Sequence, residues 1–296
     1  MPHTFTIVTD TSANLPAPLL EKHGVPVIPF TYSYDGADHT CLDTEAFEDG
    51  AGERYYADLK EGKRVTTSQI TPQTYKEKLE PLLRNGEDVL FISMSSGISN
   101  SYSSSVVAVN ELRAAYPGRK IFTFDTLAAS LGEGKAVLDA VECRERGLGI
   151  EETVRVLEGK RQSLYQVVML DDLMFLHRGG RVSAPKALLG TVLGIRPILK
   201  GDEGGHLVVC GKARGRKRAL AVLAEKYASL VRGADQLVGI AYTDCPEDAY
   251  ALKDMLGSVL KPREIMIVRY EPVTGSYVGP GTVALFFEGK DGARRY

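Results

Sequence analysis

Short runs of β-branched and aromatic residues alternate with segments of helical period along most of this chain, and that alternation constrains the fold more than any other feature. The runs are Phe5 to Val8, Val25 to Phe30, Val89 to Ile92, Ile121 to Phe124, Val167 to Leu170, Leu207 to Cys210, Leu237 to Ala241, Ile265 to Val268 and Val283 to Phe287. Each has the length and make-up of a strand. Between them Leu220, Leu223, Tyr227, Leu230 and Val231 recur on one face of a helix, as do Leu252, Met255, Leu256 and Val259. Tyr75, Leu79, Leu82 and Leu83 form a third stripe, which Pro81 is expected to kink or end. Strands alternating with helices predict an α/β protein, its sheet parallel or mixed and covered by helices.

The chain has 296 residues, enough for two domains of roughly 150 each. Val89 to Ile92 and Ile121 to Phe124 are apolar throughout, as strands covered on both faces are. Later strands follow Gly201-Asp202-Glu203-Gly204-Gly205 and Gly279-Pro280-Gly281, which predict meander or hairpin connections. The expected division is 1–161 and 162–296, near Arg161, where a Glu- and Val-rich helix gives way to the strand at Val167.

Composition excludes several function classes. Lys plus Arg is 36 and Asp plus Glu is 38, a net charge of −2, so nucleic acid is not the default partner. The N-terminus turns polar by Thr9 and Asp10, and no later stretch approaches the roughly 18 apolar residues of a membrane span. A cytoplasmic protein without an integral membrane segment is expected. Cys41, Cys143, Cys210 and Cys245 lie far apart, and the histidines lack ligand spacing, so neither disulfides nor a metal is predicted.

Three early strands each end in a hydroxyl-rich turn leading into a helix: Thr9-Asp10-Thr11-Ser12, Ser93 to Ser101, and Asp125-Thr126. The carboxyl ends of strands in an open α/β sheet share one rim, where ligands bind. Ser, Thr and Asp also serve there as ordinary N-caps. The turn Ser93 to Ser101 holds five serines in nine residues, more than one cap uses, and it opens a helix whose free N–H groups favour an anion. Thr67 and Ser68 either join that rim or belong to a cap centred on Thr71.

Two basic segments stand apart. Arg178-Gly179-Gly180-Arg181 reads either as a tight turn aiming arginines at an acidic group or as a solvated surface turn. Lys212, Arg214, Arg216, Lys217 and Arg218 place five cations in seven residues at the start of a helix, where they oppose its dipole and suggest an acidic partner. No P-loop, G-x-G-x-x-G or G-x-S-x-G is present. Asp10 follows its strand as a phosphatase nucleophile would, but no second Asp stands two residues on.

Taken in order, Val8-Thr9-Asp10-Thr11-Ser12-Ala13-Asn14-Leu15-Pro16, Thr67-Ser68-Gln69, Ser95-Ser96-Gly97-Ile98-Ser99-Asn100-Ser101-Tyr102, Asp125 with Ser130 to Gly134, Asp171-Asp172-Leu173, Arg178 to Arg181, Arg196-Pro197-Ile198-Leu199 and Gly279-Pro280-Gly281 resemble the DegV family. These are bacterial fatty-acid-binding proteins, several of them the acyl-carrying subunit of a fatty acid kinase. The resemblance covers essentially the whole chain. It implies two α/β domains with one long-chain fatty acid at their junction and no cofactor. The carboxylate would lie at Thr67, Ser68, Ser95, Ser96 and Gly97, and the acyl tunnel would be lined by Ile28, Phe30 and Ile98. The protein would be a non-catalytic lipid carrier serving an ATP-dependent kinase, docked through Arg178, Arg181, Arg214, Arg216 and Arg218. The family's usual His in G-x-H-x-G-P-G is Tyr277 here, a phenol that still donates a hydrogen bond but brings no imidazole. The rival reading is an enzyme acting on a small phosphorylated or hydroxylated substrate, since the same turn would hold a phosphate.

Overall fold

The computed structural model describes residues 5–41, 47–183 and 194–296. The first half builds a parallel sheet in the order β2-β1-β6-β7, from β1 (Thr6–Asp10), β2 (Val27–Ile28), β6 (Val89–Ser93) and β7 (Ile121–Asp125). Every residue of β6 is buried, as its uninterrupted apolar sequence requires. Helices α3 (Pro72–Arg84) and α4 (Ser101–Ala115) pack together beside it. α3 runs through Pro81 as one element, so the expected break does not occur. Its buried stripe of Tyr75, Leu79 and Leu83 anchors it on both sides of the proline.

A three-stranded antiparallel sheet, β4-β3-β5, stands beside this core. β3 (Thr31–Tyr34) and β4 (Ala37–Thr40) are joined through Asp35 and Gly36, both with positive φ. An Asp-Gly pair suits that two-residue hairpin turn, a signal that the strand pattern ending at Phe30 passed over. β5 (Thr66–Ser68) completes the sheet against β3.

The second half builds a six-stranded mixed sheet, β10-β9-β8-β13-β11-β12. Its strands are β8 (Leu164–Met169), β9 (Ile195–Gly201), β10 (Leu207–Arg214), β11 (Leu237–Tyr242), β12 (Glu264–Arg269) and β13 (Val283–Glu288). β9 and β10 form the hairpin expected at Gly201 to Gly205. The hairpin expected at Gly279 to Gly281 is absent: β13 follows helix α10 (Pro272–Val278) and enters between β8 and β11, antiparallel to both. Helices α8 (Arg216–Leu230) and α9 (Pro246–Val259) cover one face through Leu220, Leu223, Tyr227, Leu252 and Leu256.

The two sheets share a core. Helix α5 (Leu131–Glu145) touches β1 and β6 on one side and β8, β11 and β13 on the other. One apolar cluster therefore joins Ile7, Leu90, Ile92 and Phe124 to Val168, Leu199, Ala284 and Phe286. The C-terminal turn ties the halves further. Buried Arg294 donates to the carbonyls of Leu164 (2.9 Å), Leu127 (2.7 Å) and Asp202 (3.1 Å). Among the described residues no helix is long and apolar enough to cross a membrane.

Candidate functional site

Where the small sheet meets α10 and the shared core, a cavity of ≈ 350 Å³ opens. Its apolar wall comes from both halves: Phe30, Met94, Ile98 and Ala129 face Val168, Leu176, Leu207, Val273, Val278 and Phe286. Its polar groups are Thr67, Ser68, Gln69, Ser99, Asn100, Arg181, Tyr270, Thr274 and Tyr277, with Gln166 on β8.

Local structure explains how these side chains converge. Thr71 caps α3 by accepting from the Thr74 N–H (3.1 Å), while Thr67 and Ser68 lie outside that cap on the edge strand β5. The two readings of this segment are thus both realised. Tyr277 rides on α10, whose first turn is capped by buried Glu271 accepting from the N–H groups of Val273 and Thr274, each at 2.6 Å. Burial raises the Glu271 pKa, opposed by these bonds. Tyr55 and Tyr56 hold the same region by donating to the carbonyls of Pro272 (2.7 Å) and Tyr270 (2.8 Å).

A connected polar group results. The Tyr277 and Thr67 hydroxyls are 2.7 Å apart. The Arg181 guanidinium lies 4.4 Å from the centroid of the Tyr277 ring, a cation–π contact. Its Nε donates to the Ile98 carbonyl at 3.1 Å. Among the described residues no carboxylate pairs with Arg181. A Cβ on Gly179 would stand 2.5 Å from the Tyr277 ring, so glycine there lets the ring close on the Arg178 to Arg181 turn. Ser99 and Asn100 bring the N-terminal end of α4 to the same wall, where free N–H groups and the helix dipole favour negative charge.

The predicted residues divide. Thr67, Ser68, Tyr277, Phe30 and Ile98 line the cavity. Arg181, expected on a docking face, lines it too. Ser95, Ser96 and Gly97 do not. The buried Ser95 hydroxyl donates to the Gly205 carbonyl (2.8 Å) and accepts from the Gly97 N–H (3.0 Å). The Ser96 side of the loop is exposed, and its N–H donates to Asp125 (3.2 Å). A Cβ on Gly97 would meet the Gly205 carbonyl carbon at 2.6 Å, so glycine there lets this backbone pack against the β9–β10 hairpin. Ile28 is buried with Tyr75 and Phe91 in the core of the first sheet, away from the cavity wall.

The basic run also divides. Arg216 is half-buried, paired with Asp171 and Asp248 and donating to the Gly281 carbonyl (3.1 Å). Arg218 pairs with Glu225 along α8. Their place at a helix N-terminus is therefore repaid within the molecule. Arg214 is exposed and Arg178 stacks on Phe175 at 5.1 Å; among the described residues neither has an acidic partner.

The motif around Asp10 serves the fold. Asp10 accepts from the Ser12 N–H (2.9 Å), Thr9 donates to Glu133 (2.9 Å) and to the Ile92 carbonyl (3.0 Å), and the Ser12 hydroxyl donates to Glu133. Asn14, at φ 55°, donates to Ser130 (3.2 Å) and the Arg269 carbonyl (3.1 Å) and accepts from the Glu271 N–H (3.1 Å). Burial pushes Asp10 up to about 6, and burial with the neighbouring Asp10 holds Glu133 well above the usual carboxylate range.

Sequence reasoning passed over Ser99, Gln166 and the pocket role of Arg181. Ser99 lay within a quoted motif, and Arg181 within the paired-glycine turn. Gln166 carried no signal, because a lone amide in an apolar strand has no pattern.

Comparison with known proteins gives consistent results. Residues 4–290 match the family model described as DegV, an uncharacterised protein family. A DegV domain-containing protein of Clostridium perfringens is 32% identical over 287 residues, covering 96% of this chain and 97% of that one. A solved structure of fatty acid binding by a DegV family protein from Thermus thermophilus superposes with a TM-score of 0.84 at 29% identity, covering 96% of this chain and 98% of the other. A Thermotoga maritima protein whose structure revealed a fatty acid binding function gives a TM-score of 0.83 at 26% identity over 97% of this chain and 100% of that one.

Proposed function

The chain belongs to the DegV family, and from that membership and the polarity of its cavity we propose that it carries one long-chain fatty acid between its halves, 1–161 and 162–296. The observation that carries the reading is Arg181: a cation without an acidic partner among the described residues, stacked on Tyr277 beside Thr67, in a cavity whose remaining wall is mostly apolar. A carboxylate there accepts charge-assisted hydrogen bonds from Arg181, Tyr277, Thr67 and the Ser68 or Ser99 hydroxyls, each worth roughly 1.5 to 3 kcal/mol. The acyl chain occupies the space between Phe30, Met94, Ile98, Val168, Leu207 and Phe286, where burial stabilises it by about 0.8 kcal/mol per methylene.

The carrier acts in the cytoplasm and presents the carboxylate to an ATP-dependent fatty acid kinase, with the exposed Arg178, Lys212, Arg214 and Lys217 as its docking face. Solvent extraction of purified protein followed by mass spectrometry tests the carrier reading. One fatty acid per chain is expected. Protein that yields none and takes up none would refute the reading and favour an enzyme of small phosphorylated or hydroxylated substrates. The mostly apolar wall argues against that rival, because a small polar substrate would leave it facing water.

A further inference from the structure

The far end of the cavity is one cross-strand row of the second sheet. Gln166 on β8 pairs in register with Phe286 on β13, and Leu207 on β10 pairs with Gly201 on β9, which lies beside Gln166. Gln166, Phe286 and Leu207 all line the cavity. Leu164 and Glu288, one row farther along the same face, are not part of its wall. In the other direction β8 passes Val168, roughly 7 Å nearer the mouth, and leads on to the segment carrying Arg181, while β13 follows α10 and Tyr277. The row therefore stands at the end away from the carboxylate site, where an acyl chain must stop.

This row has no room to give way. Phe286 is 2% exposed and Gln166 3%. A Cβ on Gly132, in the first turn of α5, would lie 3.2 Å from the Phe286 ring and 3.4 Å from Gln166 Oε1, and a Cβ on Gly201 would lie 2.6 Å from Gln166 Nε2. Backbone is thus packed directly behind both side chains. The Ala129 N–H donates to Gln166 Oε1 at 3.3 Å and holds the amide in place. An apolar protein cavity of about 150 Å³ takes up one benzene, so ≈ 350 Å³ holds about fourteen non-hydrogen atoms. We infer that Phe286, held in this row with Gln166 and Leu207, is the stop that sets chain length, and that the carrier prefers acids of about twelve to fourteen carbons to stearate. The inference rests on the fatty acid reading. Each methylene that fits leaves water, whereas one that meets a closely packed row must displace it.

The test is titration of the full chain with straight-chain acids from octanoate to stearate, each below its micelle concentration. Affinity is expected to rise about fourfold per methylene up to about twelve to fourteen carbons and then to level or fall, leaving stearate no tighter than tetradecanoate. Phe286→Ala removes the ring and is expected to move the optimum toward stearate; an unmoved optimum in that folded variant would take the stop away from Phe286. The wild-type series decides chain length even where the variant fails to fold. Affinity that climbs without a break to stearate would overturn the inference and leave the carrier reading intact; binding of none of the acids would overturn both.

Discussion

Replacing Asp10 by Asn should stabilise the protein at neutral pH and flatten the pH dependence of its stability. Asp10 and Glu133 are both buried and are linked through Ser12, whose N–H serves one carboxyl and whose hydroxyl serves the other. Burial raises Asp10 from its ordinary 3.8 to about 6, so the folded state binds a proton that the unfolded chain has already lost. Stability from this group is fully present below pH 3.8 and declines as pH rises through about 6. At 1.36 kcal/mol per pH unit of displacement, the loss by pH 7 amounts to about 3 kcal/mol. An Asn amide keeps the oxygen that accepts from Ser12 and presents a donor to Glu133. Urea unfolding of both proteins between pH 4 and 8 reads the difference, to which Glu133, relieved of the neighbouring Asp10 carboxyl, also contributes. The variant should gain on the wild type as pH rises, by up to about 3 kcal/mol. A stability difference that does not change with pH would refute the shared-burial account of Asp10.

Further outcomes follow from the cavity and the loops around it. Tyr277→Phe keeps the ring under Arg181 but removes the hydroxyl beside Thr67, and should weaken fatty acid binding roughly tenfold by titration calorimetry, with little change in stability. Arg181→Met should weaken the carboxylate at least as much while hardly affecting the matching fatty alcohol; equal losses for both ligands would remove Arg181 from the headgroup site. Gly97→Ala places a Cβ against the Gly205 backbone and should cost about 1 to 3 kcal/mol in unfolding experiments, since the hairpin tip is pinned by Ser95. Reversing the charges of Lys212, Arg214 and Lys217 should leave stability within about 0.5 kcal/mol and lipid content unchanged, yet abolish phosphorylation of the bound acid by a partner kinase; undiminished coupling would place the docking face elsewhere.

The amino-acid sequence by itself determined the α/β class, most of the strands, the helical stripes of α8 and α9, and the family. These are read from local periodicity and from ordered motifs, which neighbouring residues fix without regard to the rest of the chain. It also picked out Thr67, Tyr277, Phe30 and Ile98, because each belongs to a motif or an apolar run beside one. What it could not decide was how each hydroxyl or cation would be spent. Ser95 and Ser99 stand four residues apart in one serine-rich turn, yet one hydroxyl meets the Gly205 carbonyl and the other reaches the cavity. Arg181 and Arg178 bound one paired-glycine turn, yet only the first turns inward over Tyr277. Arg216 belongs with a run of cations in sequence and with Asp171 and Asp248 in space. A polar side chain is used by whichever partner the fold brings within about 3 Å, and those partners lie as much as 257 residues away along the chain. Periodicity is a property of neighbours in sequence, whereas hydrogen-bond satisfaction is a property of neighbours in space, and only the tertiary structure supplies the second.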